Sequence, residues 1–126
     1  MLKVAVLVSG GGTNLQAILD AVDSGKITNA KVEKVISNVA GAYALERAKN
    51  HNVTGVTLRR KDFESKADWE TALIKEIEDC GAQLIVLAGF MAILSENFTK
   101  HFENKIINVH PSLIPSFCGE GMYGLH

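Results

Sequence analysis

Residues 4–22 read VAVLVSGGGTNLQAILDAV and decide the fold. The first part, residues 4–8, is a continuous apolar run, as expected for a strand that is buried on both sides of a parallel sheet. Apolar residues then recur at i, i+3, i+4 and i+7, the spacing of one helix face: Leu15, Ile18, Leu19 and Val22. Because a glycine-rich stretch separates the two patterns, the sequence predicts a strand, a tight loop and a helix in that order.

The rest of the chain repeats this alternation of short apolar runs and helix-spaced stretches, which is typical of parallel strands covered by helices. The further predicted strands are residues 31–37, 53–58, 84–87 and 106–109. The further predicted helices are residues 42–49, 69–80 and 96–102. Beyond residue 109, prolines and glycines leave no periodic segment, so no later element is predicted. We therefore predict an α/β fold with a doubly wound, Rossmann-like, mostly parallel sheet that is truncated at the C-terminus.

Length and composition are those of one folded domain. The chain has 126 residues, of which 47% are hydrophobic and 21% charged, a composition that excludes intrinsic disorder. A formal net charge of −1 creates no broad field for nucleic acid or an anionic membrane, and no apolar run approaches the roughly 20 residues of a membrane span. Cys80 and Cys118 lack the CxxC spacing of zinc or redox sites. We expect a cytoplasmic protein without nucleic-acid, membrane or metal partners.

The loop at residues 9–14 is a candidate phosphate site, because its three consecutive glycines let a ligand approach backbone amides at a helix start. A dinucleotide fits poorly, since Leu15 stands where its fingerprint needs glycine. No lysine follows the glycines, which disfavours a nucleoside triphosphate. A ribose monophosphate is the remaining candidate. The alternative is a tight turn without a ligand, and Thr13 with Gln16 matches a capping box that would occupy part of the amides.

Asn108 and His110 end the last predicted strand and form the candidate catalytic pair. Alternation along a strand puts both on one face, about 7 Å apart, at the carboxyl end where open α/β sheets bind ligands. Asparagine can donate to a carbonyl oxygen that gains negative charge, and histidine can transfer a proton near neutral pH, so the pair suits acyl transfer. A purely structural role is the first alternative and a Cys118–His110 thiol catalyst the second. His51 and His101 are predicted at solvated helix ends.

Residues 84–94 run from an apolar strand into an apolar loop. The second half of this segment is too apolar for an ordinary surface turn. It is expected either to line a slot for a flat heterocycle, with free backbone amides along the heterocycle's edge, or to pack beneath the next helix. The residues concerned are Phe90, Met91, Ile93 and Leu94.

Taken together, these segments resemble those of the phosphoribosylglycinamide formyltransferases, the folate-dependent enzymes of purine synthesis. SGGGTN at residues 9–14 is similar to the family's phosphate loop, LAGFMAIL at residues 87–94 to its folate loop, and NVHPSLIP at residues 108–115 to its catalytic segment. The last motif is similar to that of the whole formyltransferase superfamily. The glycine loop narrows the resemblance to the phosphoribosylglycinamide formyltransferases. The resemblance implies a formyltransferase fold in which residues 1–126 are a single, incomplete amino-terminal nucleotide-binding domain.

The resemblance also implies an activity, the transfer of the formyl group of 10-formyltetrahydrofolate, a co-substrate, to the amine of 5'-phosphoribosylglycinamide. His110 would donate a proton and Asn108 would hydrogen-bond the formyl oxygen. The amides implied for the ribose phosphate are those of Gly12, Thr13 and Asn14. The residues implied for the reduced folate are Lys66, Met91, Ala92, Ile93, Leu94 and Asn108. For Lys66 the resemblance leaves open whether it faces the folate or the phosphate, and the alternative is an ordinary solvated lysine at a helix start.

Two departures from the family pattern matter. Ala92 stands where some members have arginine, and the family's third catalytic residue, an aspartate, is implied beyond residue 126. A chain of this length is therefore expected to be inactive alone and to self-associate as a homo-oligomer through its uncovered last strand. The alternatives are a 10-formyltetrahydrofolate hydrolase, another superfamily member, or a non-catalytic nucleotide-binding module.

Overall fold

The computed structural model describes residues 2–109 and residues 123 and 124. The strands of this part are β1 (Leu2–Val8), β2 (Ala30–Ser37), β3 (Thr54–Thr57), β4 (Leu84–Ala88), β5 (Ile106–Val109) and β6 (Tyr123–Gly124). Its helices are α1 (Thr13–Asp23), α2 (Tyr43–Asn50), α3 (Lys66–Asp79) and α4 (Glu96–His101). Every strand and helix that the sequence predicted is present, with small shifts at the ends.

The strands form one sheet in the order β3-β2-β1-β4-β5-β6. The first five are parallel, and β1 pairs with both β2 and β4, so the strand order reverses beside β1. In open α/β sheets, ligands bind outside the carboxyl ends of the strands at such a switch point. The predicted doubly wound, mostly parallel sheet is thus confirmed, and its topology places a site beyond Val8.

Helices cover both faces of the sheet, as the continuous apolar strands require. On one face α1 and α2 pack on the side chains of Val4, Val6 and Val8. On the other face α3 and α4 pack on Ala5 and Leu7. Alternation along β1 therefore divides the core into two layers, each with its own pair of helices.

The segment after β5 differs from the sequence prediction, which expected no further element there. Tyr123–Gly124 pairs antiparallel with β5, Asn108 opposite Gly124 and Val109 opposite Tyr123. A strand of two residues is too short for hydrophobic periodicity to reveal, because a period of two needs at least four residues. The side of β5 that faces away from β4 is therefore paired with β6 at Asn108 and Val109.

The helices of this structure are short. The longest in the described ranges, α3, has 14 residues, fewer than the roughly 20 needed to span a bilayer. Within residues 2–109 and 123–124, none of the helices has both the length and the apolar character required to cross a membrane.

Candidate active site

The carboxyl ends of β1 and β4 bring two predicted loops together: the glycine loop, residues 9–14, and the apolar loop, residues 89–95. A cavity of about 140 Å³ lies between them, lined by residues 10–14, Ala88 and Gly89. Since about 10 to 15 Å³ of such space is enough to hold one water molecule, the cavity has room for a small anion such as phosphate.

The amino end of α1 forms one wall of this cavity. Gly12 caps the helix in a left-handed conformation, with φ 82°, and its carbonyl accepts the Gln16 amide at 2.8 Å. The predicted Thr13–Gln16 capping box is therefore wrong, because α1 begins at Thr13, one residue too early for it. In this part of the chain no side chain caps α1, so its positive dipole end faces the cavity.

The three glycines of the loop have different roles. A Cβ atom on Gly10 or Gly11 would meet nothing within 4 Å. A Cβ atom on Gly12 would lie 2.7 Å from the Ala44 Cβ and 2.9 Å from the Ala44 Cα. The third glycine is thus required by the packing of α1 against α2, whereas the first two leave open space for a ligand.

Replacing Gly12 with valine is expected to lower the free energy of unfolding by roughly 2 to 5 kcal/mol, since left-handed strain and overpacking against Ala44 add. Urea denaturation of the variant measures this loss. Gly11→Ala is the matched control, expected to change stability by less than about 1 kcal/mol. Equal unfolding midpoints for the two variants would contradict the assigned packing.

Arg47 holds the glycine loop from α2. Its Nε donates to the Gly11 carbonyl at 2.7 Å and its Nη1 donates to the Gln16 Oε1 at 3.0 Å. The guanidinium also lies 4.7 Å from the centre of the Tyr43 ring. Sequence reasoning missed Arg47, because a basic residue on a helix gives no sign of what it contacts.

His51, predicted to be solvated, is instead half-buried. Its ring hydrogen-bonds to the Asp23 carboxylate and lies 3.1 Å from the Gln16 Nε2. The prediction was wrong because α2 packs on α1, and the residue that ends α2 therefore reaches the acidic end of α1. His101 is exposed, with its Nε2 2.8 Å from a Glu78 carboxylate oxygen.

The apolar loop packs on the core through some of its residues, as the second sequence-based alternative expects, and the slot for a heterocycle stays a prediction. Met91 and Ile93 are 83% and 81% exposed. Phe90 stacks on Trp69 of α3, with ring centroids 6.3 Å apart. Ala92 and Leu94 pack against the α3 and α4 side of the core. The loop therefore packs through Phe90, Ala92 and Leu94 and exposes Met91 and Ile93.

Each end of the apolar loop is tied by hydrogen bonds. The Met91 amide donates to the Ser9 Oγ at 2.7 Å, so this amide, expected to be free for a ligand, is already used. At the far end the buried Glu70 carboxylate accepts both the Ser95 amide, at 2.7 Å, and the Ser95 hydroxyl. Ser95 in turn caps α4 by accepting the Phe98 amide at 3.3 Å. These contacts fix the position of the loop that carries the exposed Met91 and Ile93 side chains.

Asn108 lies in β5, opposite Leu87 of β4 and half-buried. It shares a sheet face with Ile106, the face on which the apolar loop packs. Within residues 2–109 its side-chain amide has no hydrogen-bond partner. His110 lies outside the described residues, so its position beside Asn108 stays a prediction.

Lys66 is the first residue of α3 and is half-buried. Ser65 caps this helix by accepting the Asp68 amide at 3.1 Å. Because Trp69, one turn further on, stacks on Phe90, the start of α3 lies beside the apolar loop. The structure therefore brings Lys66 to the same edge of the sheet as the other predicted site residues.

The segment between β3 and α3 carries a surface ion pair. Arg59 donates two hydrogen bonds to Asp62, at 2.9 and 3.0 Å, which lower the pKa of Asp62 and raise that of Arg59. Asp62 is exposed and Arg59 partly exposed, so the pair contributes little to stability. A lowered carboxyl pKa stabilises the fold above the ordinary aspartate pKa, and the effect is lost only as the pH falls through the lowered value. The contribution of this ion pair to stability therefore does not change with pH near neutrality.

The parallel strands, the helices on both faces and the cavity at the switch point define a doubly wound α/β domain. The family model described as "Formyl transferase" matches residues 2–125. The chain therefore belongs to the formyl transferase family.

Named relatives and solved structures agree with this membership. The chain is 46% identical, over 98% of its length, to phosphoribosylglycinamide formyltransferase of Haemophilus influenzae, and covers 58% of that protein. It is 42% identical to the Escherichia coli protein of that name, over 94% of this chain and 55% of that one. The crystal structure of glycinamide ribonucleotide transformylase 1 from Symbiobacterium toebii superposes with a TM-score of 0.84, at 40% identity, over 95% of this chain and 56% of that one. The chain thus spans a little over half the length of these relatives.

Proposed function

We propose that this protein transfers the formyl group of 10-formyltetrahydrofolate to the amine of 5'-phosphoribosylglycinamide, a step of purine synthesis. The observation that carries the proposal is the cavity at the start of α1. It is lined in part by Gly89 of the apolar loop, which also carries the exposed Met91 and Ile93. The names of the relatives support the same reaction. The proposal includes a cytoplasmic location and small-molecule substrates only, with residues 1–126 as the amino-terminal nucleotide-binding domain.

The ribose phosphate of the acceptor binds in the 140 Å³ cavity. The amides of Gly12, Thr13 and Asn14 hydrogen-bond its oxygens, and the dipole of α1 favours its negative charge. Arg47 supports this arrangement, since it holds the Gly11 carbonyl and adds a positive charge nearby. The open space beside Gly10 and Gly11 lets the ligand approach the backbone.

The reduced folate binds along the apolar loop. Met91 and Ile93 supply an apolar surface for a flat heterocycle, while Ala92 and Leu94 hold the loop against the core. Lys66 places a positive charge at the same edge, for an anionic group of either ligand.

Chemistry takes place at the end of β5. The amine nitrogen of the acceptor attacks the formyl carbon, and the formyl oxygen gains the negative charge that the Asn108 side-chain amide stabilises by donating a hydrogen bond. His110 donates a proton as the amine attacks, and this proton goes to the folate nitrogen as its bond to the formyl carbon breaks and tetrahydrofolate is released. The attacking nitrogen returns its surplus proton to His110. The formyl group passes directly between the ligands, without a covalent enzyme intermediate.

A hydrolase is the second candidate, since the same Asn108 and His110 could deliver water to the formyl carbon. The cavity favours the transferase, because hydrolysis of a folate needs no site for the phosphate of a second substrate. The two reactions differ in product: a formylated ribonucleotide from the transferase and formate from the hydrolase.

The test combines an assay with one substitution. Formyl transfer is expected only when the ribonucleotide is present, and formate release without it is expected to be negligible. Gly11→Val should raise the Kd for the ribonucleotide at least tenfold, by blocking the amides, and leave folate affinity unchanged. The variant is informative because a Cβ atom at Gly11 meets no protein atom within 4 Å. Fast formate release without ribonucleotide would favour the hydrolase, and equal loss of both ligands would refute the phosphate site.

A further inference from the structure

Ser9 connects the two loops of the site. It follows β1 directly, begins the glycine loop and is only 8% exposed. Its Oγ donates to the Asn38 Oδ1 at 2.6 Å and accepts the Met91 amide at 2.7 Å. Asn38 follows β2 and Met91 follows β4, so one hydroxyl joins the ends of three neighbouring strands.

The direction of this hydroxyl is determined by its partners. A serine hydroxyl has a single hydrogen, and that hydrogen points at Asn38, which leaves an oxygen lone pair for the Met91 amide. Met91 needs this tether, because it follows Gly89 with φ 71° and its own side chain is 83% exposed. Phe90 and Ser95 anchor the loop through α3, whereas Ser9 anchors it to the glycine loop.

We propose that Ser9 is a positioning residue for the formyl donor: it sets the apolar loop at a fixed distance from the glycine loop, so that donor and acceptor are held in register. The inference rests on the proposed function, since it takes the apolar loop as the donor site. According to this inference, Ser9 of the glycine loop affects the binding of the folate. Ser9 does not touch the reacting atoms in this scheme and acts through the Met91 backbone.

Serine-to-alanine substitutions at two buried positions separate positioning from general stability. Ser9→Ala removes both hydrogen bonds of the bridge. The matched control is Ser37→Ala, because Ser37 is also buried at the end of a strand and its hydroxyl both donates and accepts. The partners of Ser37 are the carbonyl and amide of Val39, two residues away, so its loss removes no hydrogen bond to the apolar loop.

Three measurements are made on each purified variant: the Kd for tetrahydrofolate, the Kd for ribose 5-phosphate, and hydrogen exchange at the Met91 amide. Ser9→Ala is expected to raise the Kd for tetrahydrofolate on the order of tenfold, the usual effect of losing a buried hydrogen bond, and to speed exchange at Met91. Ser37→Ala should leave the Kd for tetrahydrofolate within about twofold, even where it lowers stability as much. Ser9→Thr, which keeps a hydroxyl, should restore most of the affinity.

A Ser9→Ala protein that binds tetrahydrofolate as tightly as the unsubstituted protein would overturn the inference and leave the proposed function intact. Failure of the unsubstituted protein to bind tetrahydrofolate would instead refute the proposed function, and the inference with it. Should Ser9→Ala not fold, Asn38→Ala decides the question. That variant removes the acceptor that orients the hydroxyl, and an unchanged Kd for tetrahydrofolate there would equally overturn the inference.

Discussion

His110→Ala and Asn108→Ala, each made in a protein of the relatives' full length, are expected to lower turnover on the order of 100- to 1000-fold while leaving ribonucleotide affinity nearly unchanged. Both residues act in the proposed reaction on charge that develops at the formyl group, so their loss weakens the transition state more than the ground state. Steady-state kinetics should therefore show a fall in kcat with little change in KM for the ribonucleotide.

His101→Ala serves as the control for the histidine variant, because His101 is exposed and its ring partner is Glu78 on the outer surface. Its turnover should equal that of the unsubstituted protein. If His110→Ala retained near-normal turnover, proton transfer by His110 would be excluded. If Asn108→Ala did so, stabilisation of the formyl oxygen would have to come from another donor.

Trp69→Ala is expected to cost about 3 to 5 kcal/mol of folding free energy, the usual loss when a buried aromatic residue is truncated. Trp69 is 1% exposed, its Nε1 donates to the Leu58 carbonyl at 2.8 Å, and its ring supports Phe90. Domains are stable by only about 5 to 15 kcal/mol, so a large share of the stability would be lost. Urea denaturation followed by circular dichroism measures the change.

Trp69→Phe separates the two contributions of this side chain. It keeps an aromatic ring against Phe90 but removes the indole donor, which leaves the Leu58 carbonyl without its partner, and should cost about 1 to 3 kcal/mol. A loss below about 1 kcal/mol in the alanine variant would contradict the central place of Trp69 in this layer of the core.

Much of the fold could be predicted because its evidence is local. The sequence predicts a strand over residues 84–87 and a helix over residues 42–49, and the structure has β4 at Leu84–Ala88 and α2 at Tyr43–Asn50. The start of α3 was placed late, at residue 69, since the polar first turn carries no apolar periodicity and depends on the Ser65 cap. Strand β6 was missed because two residues make no pattern.

The candidate site was predicted less completely. The glycine loop, the apolar loop and Asn108 were identified from residue type and from their positions at the ends of elements, and the structure places all three at one edge of the sheet. Arg47 was missed, as was the bridge through Ser9, although both contact residues of the quoted motifs. A motif shows which backbone a ligand can approach, but it does not show which side chains hold that backbone.

The sequence by itself determined the order of strands and helices, the two-sided burial of β1 and the location of the glycine loop and the apolar loop, because burial periodicity and glycine conformation act over a few neighbouring residues. Only the tertiary structure decided that Gly12 is required by Ala44, that Met91 points outward while Phe90 points inward, and that Ser9 accepts the amide of a residue 82 positions away. Such contacts join elements that are remote in the chain. Their partners are chosen by the packing of the sheet and its helices, and packing leaves no periodic trace in either segment.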